Sequence, residues 1–208
     1  MEDVLDVYTR PYDPSRPVIC MDEIAKQLLR DTRESLSARP GRVERVDYEY
    51  EREGVVNVFL FCEPLRAKRW TSVTERRTKA DWASEIKELI DVRYPTADKI
   101  VLVMDNLNTH TPGSLYEVFE PAEAKRLADK LEIHHTPKHG SWLNIAEIEL
   151  SVLSRQCLDQ RVPDFLTLEV IVKAWQKRRD AEGCKVDWQF TTADARIKLK
   201  RLYPSIQE

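Results

Sequence analysis

The sequence predicts an α/β fold in which helices cover both faces of a mixed five-stranded sheet. The candidate elements run in the order strand, strand, strand, helix, strand, helix, strand, helix. This order suits a sheet whose early strands form an antiparallel meander and whose later strands arrive through right-handed crossovers. Two short apolar runs also end in aspartate, and functional side chains gather at the carboxyl ends of buried parallel strands.

The first part of the chain is predicted to supply three strands. Residues 1–17 contain three prolines and are predicted to be an irregular lead-in to a strand at about 18–22. Residues 24–53 are highly charged and broken by a Pro-Gly pair, so we interpret them as an insertion. The apolar run at 55–62 predicts a second strand, and residues 69–75 predict a third that pairs with it as a hairpin.

Helices and strands alternate in the remainder. Thr78 and Asp81 resemble a capping box that opens a helix ending near Pro95. The later candidate elements are a strand at Ile100–Met104, a helix at 113–130 interrupted at Pro121, a strand at Leu131–His135, and helices at about 144–159, 164–182 and 192–202. The first and fourth strands would then lie side by side, which is the ribonuclease H-like architecture.

Composition restricts the class of protein. The chain has 208 residues, 42% hydrophobic and 33% charged, which is enough for one sizeable core with additions. No apolar stretch approaches the length of a membrane span, and no signal sequence opens the chain. Four widely spread cysteines argue against a zinc site and a disulfide framework, and favour a reducing cytosol.

Three acidic residues are the candidate ligands of a metal centre. Asp22 and Asp105 each follow an apolar run, and Glu147 lies in a predicted helix. Each has an ordinary alternative, because aspartate caps turns and helices and a glutamate at the third helical position caps the helix start. Glu23 could also replace Asp22 as the ligand. Three carboxylates gathered at one sheet edge would suit Mg²⁺.

The helix that carries Glu147 has apolar residues on nearly all sides, which indicates a buried helix. Its narrow polar stripe consists of Glu147, Ser151 and Ser154. A buried carboxylate needs a partner or a metal, so Glu147 is the stronger candidate. Glu149 lies on a different face and is the weaker one.

Basic and aromatic residues around these acids are candidates for DNA contact, although the net charge is −3. Arg66, Lys68, Arg69, Arg76, Arg77 and Lys79 fall in one short window, and Lys198, Lys200 and Arg201 lie near the end. Solvated surface is the ordinary interpretation of each, and phosphate contact is the interpretation of the cluster. His110 and His139 lie in predicted loops near the acids, and Trp142 is the best candidate among the tryptophans for a base-stacking role.

Three sequence blocks together resemble those of a known family. They are residues 20–23 (CMDE), residues 105–110 (DNLNTH) and residues 136–147 (TPKHGSWLNIAE). These blocks, with residues 187–196, resemble the insertion-sequence 630 branch of the mariner-like DDE transposases over essentially the whole chain. The resemblance implies Asp22, Asp105 and Glu147 as catalytic residues and metal ligands. We further expect Asn106, His110 and Asn144 to support these acids, and Lys138, His139 and Trp142 to contact DNA beside the basic window.

Two features depart from the family pattern. The 41 residues between Asp105 and Glu147 (147 − 105 − 1) exceed the spacing typical of mariner relatives. The helix-turn-helix region that reads transposon ends is also missing before residue 17. We therefore expect a catalytic domain, either a fragment or the second frame of a split element. We divide it into the lead-in 1–17, a core at 18–162 that carries the triad, and a helical extension at 163–208.

The resemblance implies an enzyme that cleaves and joins DNA. Two Mg²⁺ ions, or Mn²⁺ in their place, would sit between the carboxylates and support cleavage at transposon ends and strand transfer to target DNA. The partners would be double-stranded DNA and a separate DNA-reading region, and the chain could act as a homodimer beside the bacterial nucleoid in the cytoplasm. The alternatives are a ribonuclease H-like nuclease without strand transfer and a non-catalytic, transposase-derived DNA-binding or assembly protein.

Overall fold

The computed structural model describes residues 1–33, 38–43, 45, 48–138 and 140–203. Its centre is a five-stranded sheet with the order β3-β2-β1-β4-β5. The strands are β1 (Val18–Asp31), β2 (Tyr50–Glu63), β3 (Lys68–Thr74), β4 (Ile100–Met104) and β5 (Leu131–His135). The first three pair antiparallel, and β4 pairs parallel with both β1 and β5. The predicted mixed sheet is therefore confirmed, with β1 and β4 as neighbours.

Seven α-helices flank the sheet in the part of the chain described. They are α1 (Glu2–Tyr8), α2 (Lys79–Glu88), α3 (Pro112–Val118), α4 (Pro121–Asp129), α5 (Ile145–Leu153), α6 (Phe165–Ala181) and α7 (Thr192–Lys198). A turn of π-helix continues α5 over Ser154–Leu158. No helix in these described stretches is long and apolar enough to cross a membrane.

Two apolar clusters form on opposite faces of the sheet because side chains alternate along each strand. Cys20 of β1 joins the cluster formed with α1, α5, α6 and α7. Ile19 and Met21, its neighbours on the same strand, join the cluster formed with α2, α3 and α4. The helices therefore cover both faces, as the sequence predicts.

Two predictions about the N-terminal half are wrong. The lead-in is not irregular, because α1 occupies Glu2–Tyr8 and buries Val4, Leu5 and Val7. The charged stretch 24–53 is not wholly an insertion either, since β1 continues to Asp31 and β2 begins at Tyr50. These two ends pair with each other as an extended hairpin, so their polar side chains lie on a ribbon and not in a loop.

Candidate active site

The sheet brings the two candidate aspartates to the same edge. Cys20 of β1 is level with Val103 of β4 in the parallel pairing. Continuing that register by two residues places Asp22 level with Asp105, which directly follows β4. The two apolar runs that end in aspartate therefore end side by side.

Helix α5 supplies the third carboxylate. Asn144 caps this helix by accepting a hydrogen bond from the Ala146 amide at 3.1 Å. Its side-chain amide also donates to the Met21 carbonyl at 3.0 Å and to Asp22 Oδ2 at 3.3 Å. One buried asparagine thus fixes the start of α5 against β1, and Glu147 follows in the first turn of the helix.

The three acids line one open cleft of about 400 Å³. The polar stripe predicted for α5 also faces this cleft. Its lining residues are Asp22, Glu23, Ile24, Asp105, Ser141, Asn144, Glu147, Leu150, Ser151 and Ser154. The acids that the sequence singled out therefore line the same cleft, together with Asn144.

Asp22 lies in an environment that disfavours its charge. Burial is the main cause that raises its pKa to about 7, and the charges of Glu23, Asp105 and Glu147 add to it. The hydrogen bond from the Glu23 amide to Asp22 Oδ1, at 2.8 Å, acts in the opposite direction. Acids that repel one another in this way attract a cation into the space between them.

His110 connects Asp105 to a fourth acid. Its Nδ1 lies 2.7 Å from Asp105 Oδ1, and its Nε2 lies 3.3 Å from Glu23 Oε2. Burial lowers the pKa of His110, but the two carboxylates outweigh it and raise the pKa to about 9. The same imidazolium holds the pKa of Asp105 below its usual value although burial opposes this. His110 packs against the Trp82 ring, with ring centroids 6.0 Å apart.

Sequence reasoning treated Glu23 only as a substitute for Asp22. In the structure its side chain is 3% exposed, and Arg77 Nη1 lies 3.7 Å from its Oε1, in addition to the His110 contact. Alternation along β1 is the signal that separates the two acids, because adjacent strand residues point to opposite faces. Asp22 contacts Asn144 of α5, while Glu23 contacts His110 and Arg77.

The donor set fits a hard divalent cation. The cleft offers carboxylate, hydroxyl and amide oxygens, which Mg²⁺ and Mn²⁺ prefer. Glu147 Oε2 is buried without a hydrogen-bond partner, so it has an unfilled acceptor position that a cation could occupy. Among the residues described, no three His, Cys, Asp or Glu side chains already form a metal-binding group, so the carboxylates must approach one another to hold a cation together.

One predicted DNA contact is wrong. Arg69 is 2% exposed and donates from Nε and Nη2 to Glu149 at 2.7 and 2.9 Å, so it cannot reach a phosphate. Arg179 also contacts Glu149, at 3.2 Å. Arg69 therefore belongs to a buried ion network behind α5, and Glu149 belongs there too, on a different face from Glu147.

The other predicted contacts are exposed where the structure describes them. These are Arg66, Lys68, Arg76, Arg77, Lys138 and Trp142, and Asn106 is exposed on the loop after β4. His139 lies outside the described residues. Among these side chains, Arg77 contacts Glu23, a residue of the cleft lining.

Comparisons with known proteins bear on the family and the fold of the chain. The family described as DDE superfamily endonuclease matches residues 17–169, which contain all three acids. No curated protein sequence matches the chain.

Solved structures of the Mos1 mariner transposase share the fold. A paired-end complex with Mn is 14% identical, with a TM-score of 0.55 over 87% of this chain and 56% of that one. The strand transfer complex is also 14% identical, with a TM-score of 0.58 over 87% of this chain and 52% of that one. The paired-end complex with the left transposon end is 13% identical, with a TM-score of 0.58 over 87% of this chain and 55% of that one. The chain thus spans about half the length of these structures, and the ribonuclease H-like fold is confirmed.

Proposed function

The chain belongs to the DDE superfamily of endonucleases, and we propose that it is the catalytic domain of a transposase from the insertion-sequence 630 branch of the mariner-like group. The observation that carries this proposal is the single cleft that Asp22, Asp105 and Glu147 line. Its substrate would be double-stranded DNA, at element ends and at the target. The division into residues 1–17, 18–162 and 163–208 belongs to the same proposal, with α1 now part of the first segment.

The residues of the cleft have distinct roles in this proposal. Asp22, Asp105 and Glu147 would hold two Mg²⁺ ions, or Mn²⁺ in their place. The chemistry supplied there would be Lewis-acid activation of the attacking water or DNA 3′-hydroxyl and neutralisation of charge on the leaving oxygen. Asn144 holds Asp22 in place through its amide, and His110 does the same for Asp105.

The exposed basic side chains would hold the DNA. Arg66, Lys68, Arg76 and Lys138 are suited to phosphate contact, which positions a duplex without reading its sequence. Arg77 is 55% exposed and contacts Glu23, so it would place a phosphate close to the acids. Reading of the element ends would then require a helix-turn-helix region, and two copies of the chain would serve the two ends.

A cleavage and joining assay tests the proposal. A labelled duplex that carries an element end is incubated with Mg²⁺ and an unlabelled plasmid, and we expect both a cleaved strand and a product joined to the plasmid. Asp22→Asn should abolish both products, whereas Asp98→Asn, at an exposed aspartate outside the cleft lining, should leave them unchanged. Cleavage without joining would favour a nuclease, and the absence of both would favour a non-catalytic protein.

A further inference from the structure

A large aromatic side chain lies exposed at the rim of the cleft. Trp142 is 41% exposed, in the short 3₁₀ turn Ser141–Leu143. Ser141 on one side of it and Asn144 on the other both line the cleft. The indole is therefore within two residues of the cleft lining in both directions, yet it is not itself buried in the core.

The exposed Trp142 indole packs against two other aromatic rings. The Trp188 ring lies nearly parallel to it, with centroids 6.5 Å apart and an interplanar angle of 17°. The Phe190 ring is nearly perpendicular to it, with centroids 5.8 Å apart. Trp188 donates from Nε1 to the Phe190 carbonyl at 2.7 Å, so the two supporting residues are fixed relative to each other.

Tyr8 contacts both the Trp188 ring and the turn that carries Trp142. The Tyr8 ring lies 5.0 Å from the Trp188 ring, and the Tyr8 hydroxyl donates to the Leu143 carbonyl at 2.6 Å. One residue of α1 therefore ties the turn that carries Trp142 to the segment that supports it. An aromatic ring held in this way loses little conformational entropy when a ligand stacks on it.

From this geometry we propose that Trp142 is a stacking platform for an unpaired DNA base at the cleft, an inference that rests on the function proposed above. Every nucleobase has an aromatic face that stacks on a tryptophan. Bases inside a duplex have both faces covered by their neighbours, so the platform selects a base that is unstacked. Phosphate would not occupy the site, because the face of an aromatic ring carries negative charge density.

The surrounding charges suit a nucleic acid strand at this position. Lys138 is exposed in the segment that leads to the 3₁₀ turn. Lys198, at the end of α7, places its Nζ 5.4 Å from the centre of the Phe190 ring and 3.5 Å from Asp194 Oδ1. The flanking phosphates of a base on Trp142 would therefore meet Lys138 on one side, and on the other Lys198 if they displace its contact with Asp194.

Binding measured in EDTA tests this inference without any cleavage. The probes are a blunt duplex, the same duplex with a short single-stranded overhang, and that overhang made abasic. The wild-type chain should bind the base-bearing overhang about 5- to 100-fold more tightly than the abasic one, as stacking of a base on tryptophan implies. Trp142→Ala should abolish this difference, and Trp142→Phe should keep most of it.

Tyr116→Ala is the matched control, since Tyr116 is 46% exposed and lies outside the cleft lining. It should leave the preference for a base unchanged. Equal binding of the two overhangs by the wild-type chain would overturn the inference, and so would a Trp142→Ala variant that weakens blunt-duplex binding as much as overhang binding. Loss of cleavage in Mg²⁺ bears on the proposed function alone, because this assay contains no metal.

Discussion

At the scale of single residues, Asp22 shows the cost of assembling an acidic site. Its pKa of about 7 means that ionisation in the folded chain is less favourable than in the unfolded chain, where the ordinary value is 3.8. A raised carboxyl pKa makes stability fall as the pH rises from the unfolded value through the folded value. At pH 8 without metal, the carboxylate therefore destabilises the fold.

Asp22→Asn should consequently stabilise the metal-free protein at pH 8. The gain should be on the order of 1 to 4 kcal/mol, since each pKa unit corresponds to about 1.4 kcal/mol. Thermal unfolding in EDTA measures it, and the gain should disappear near pH 4, where Asp22 is protonated in the wild-type chain. A variant that is less stable than the wild type at pH 8 would show that Asp22 has a structural role.

Glu149 is the opposite case, a carboxylate whose charge the fold requires. Burial would raise its pKa, but hydrogen bonds from Arg69 and Arg179 outweigh burial and lower it. Glu149→Gln removes the carboxylate nearest to two arginines, one of them 2% exposed, and leaves Arg69 the longer carboxylate contact with Asp180 at 3.7 Å. We therefore expect a loss of about 3 to 5 kcal/mol, as for other broken buried pairs.

Urea unfolding of Glu149→Gln beside Glu75→Gln, at an exposed glutamate, checks this expectation. The control should change stability by less than about 0.5 kcal/mol. Because the folded pKa of Glu149 is lowered, the difference between wild type and variant should be present at neutral pH and shrink as the pH falls through that lowered value. Equal stability of the two variants would mean that the ion network contributes nothing. The expected loss of stability also makes Glu149→Gln an unsuitable control for Glu147→Gln in activity assays.

At the scale of elements, two residues that cap helices differ in whether they also contact another element. Thr78 caps α2 through a capping box with Asp81 on the exposed surface. Asn144 caps α5 and also bonds to Met21 and Asp22 of β1. Loss of either cap should cost about 1 kcal/mol of stability, but loss of Asn144 also releases α5 from the aspartate of β1.

Asn144→Ala should therefore reduce DNA cleavage by far more than Thr78→Ala. We expect roughly a 100-fold loss for the former, as for other misplaced catalytic groups, and no change for the latter. Asn144→Asp keeps the cap acceptor but places a negative charge beside Asp22, so it should also be impaired. Comparable activity of Asn144→Ala and Thr78→Ala would show that Asn144 is only a helix cap.

The elements also show what a sequence can and cannot predict. The strand Ile100–Met104 was predictable to the residue, because a short apolar run between polar segments has few other structures available. Leu131–His135 was also predicted with its observed bounds, although only Leu131 and Ile133 of its five residues are apolar. The extension of β1 to Asp31 was not, because it mixes apolar with charged residues and its partners in β2 are distant in sequence, from 34 residues for Ile24 with Val58 to 19 residues for Asp31 with Tyr50. Arg69 was misassigned for the same reason, since its partner Glu149 is 80 residues distant. The acids and Asn144 were found because their motif blocks are local in sequence.

At the scale of the whole molecule, the proposed DNA contacts are basic side chains that suit phosphates. We expect the chain alone to bind duplex DNA weakly, with little preference for element ends over random sequence. If about four phosphates are neutralised, affinity should fall roughly 100-fold between about 50 and 200 mM salt. A competition gel shift at two salt concentrations measures both properties. A strong preference for the element's own ends would reveal a sequence-reading surface on this chain.

The central claim is that β1, β4 and α5 bring three carboxylates together to hold metal. Anomalous scattering from crystals grown with Mn²⁺ tests it most directly, because the signal locates the ion independently of activity. We predict Mn²⁺ in the cleft in contact with Asp22 and with Asp105 or Glu147, and no Mn²⁺ there in crystals of Asp22→Asn. Mn²⁺ bound only outside the cleft, or an unchanged signal in the variant, would contradict the account.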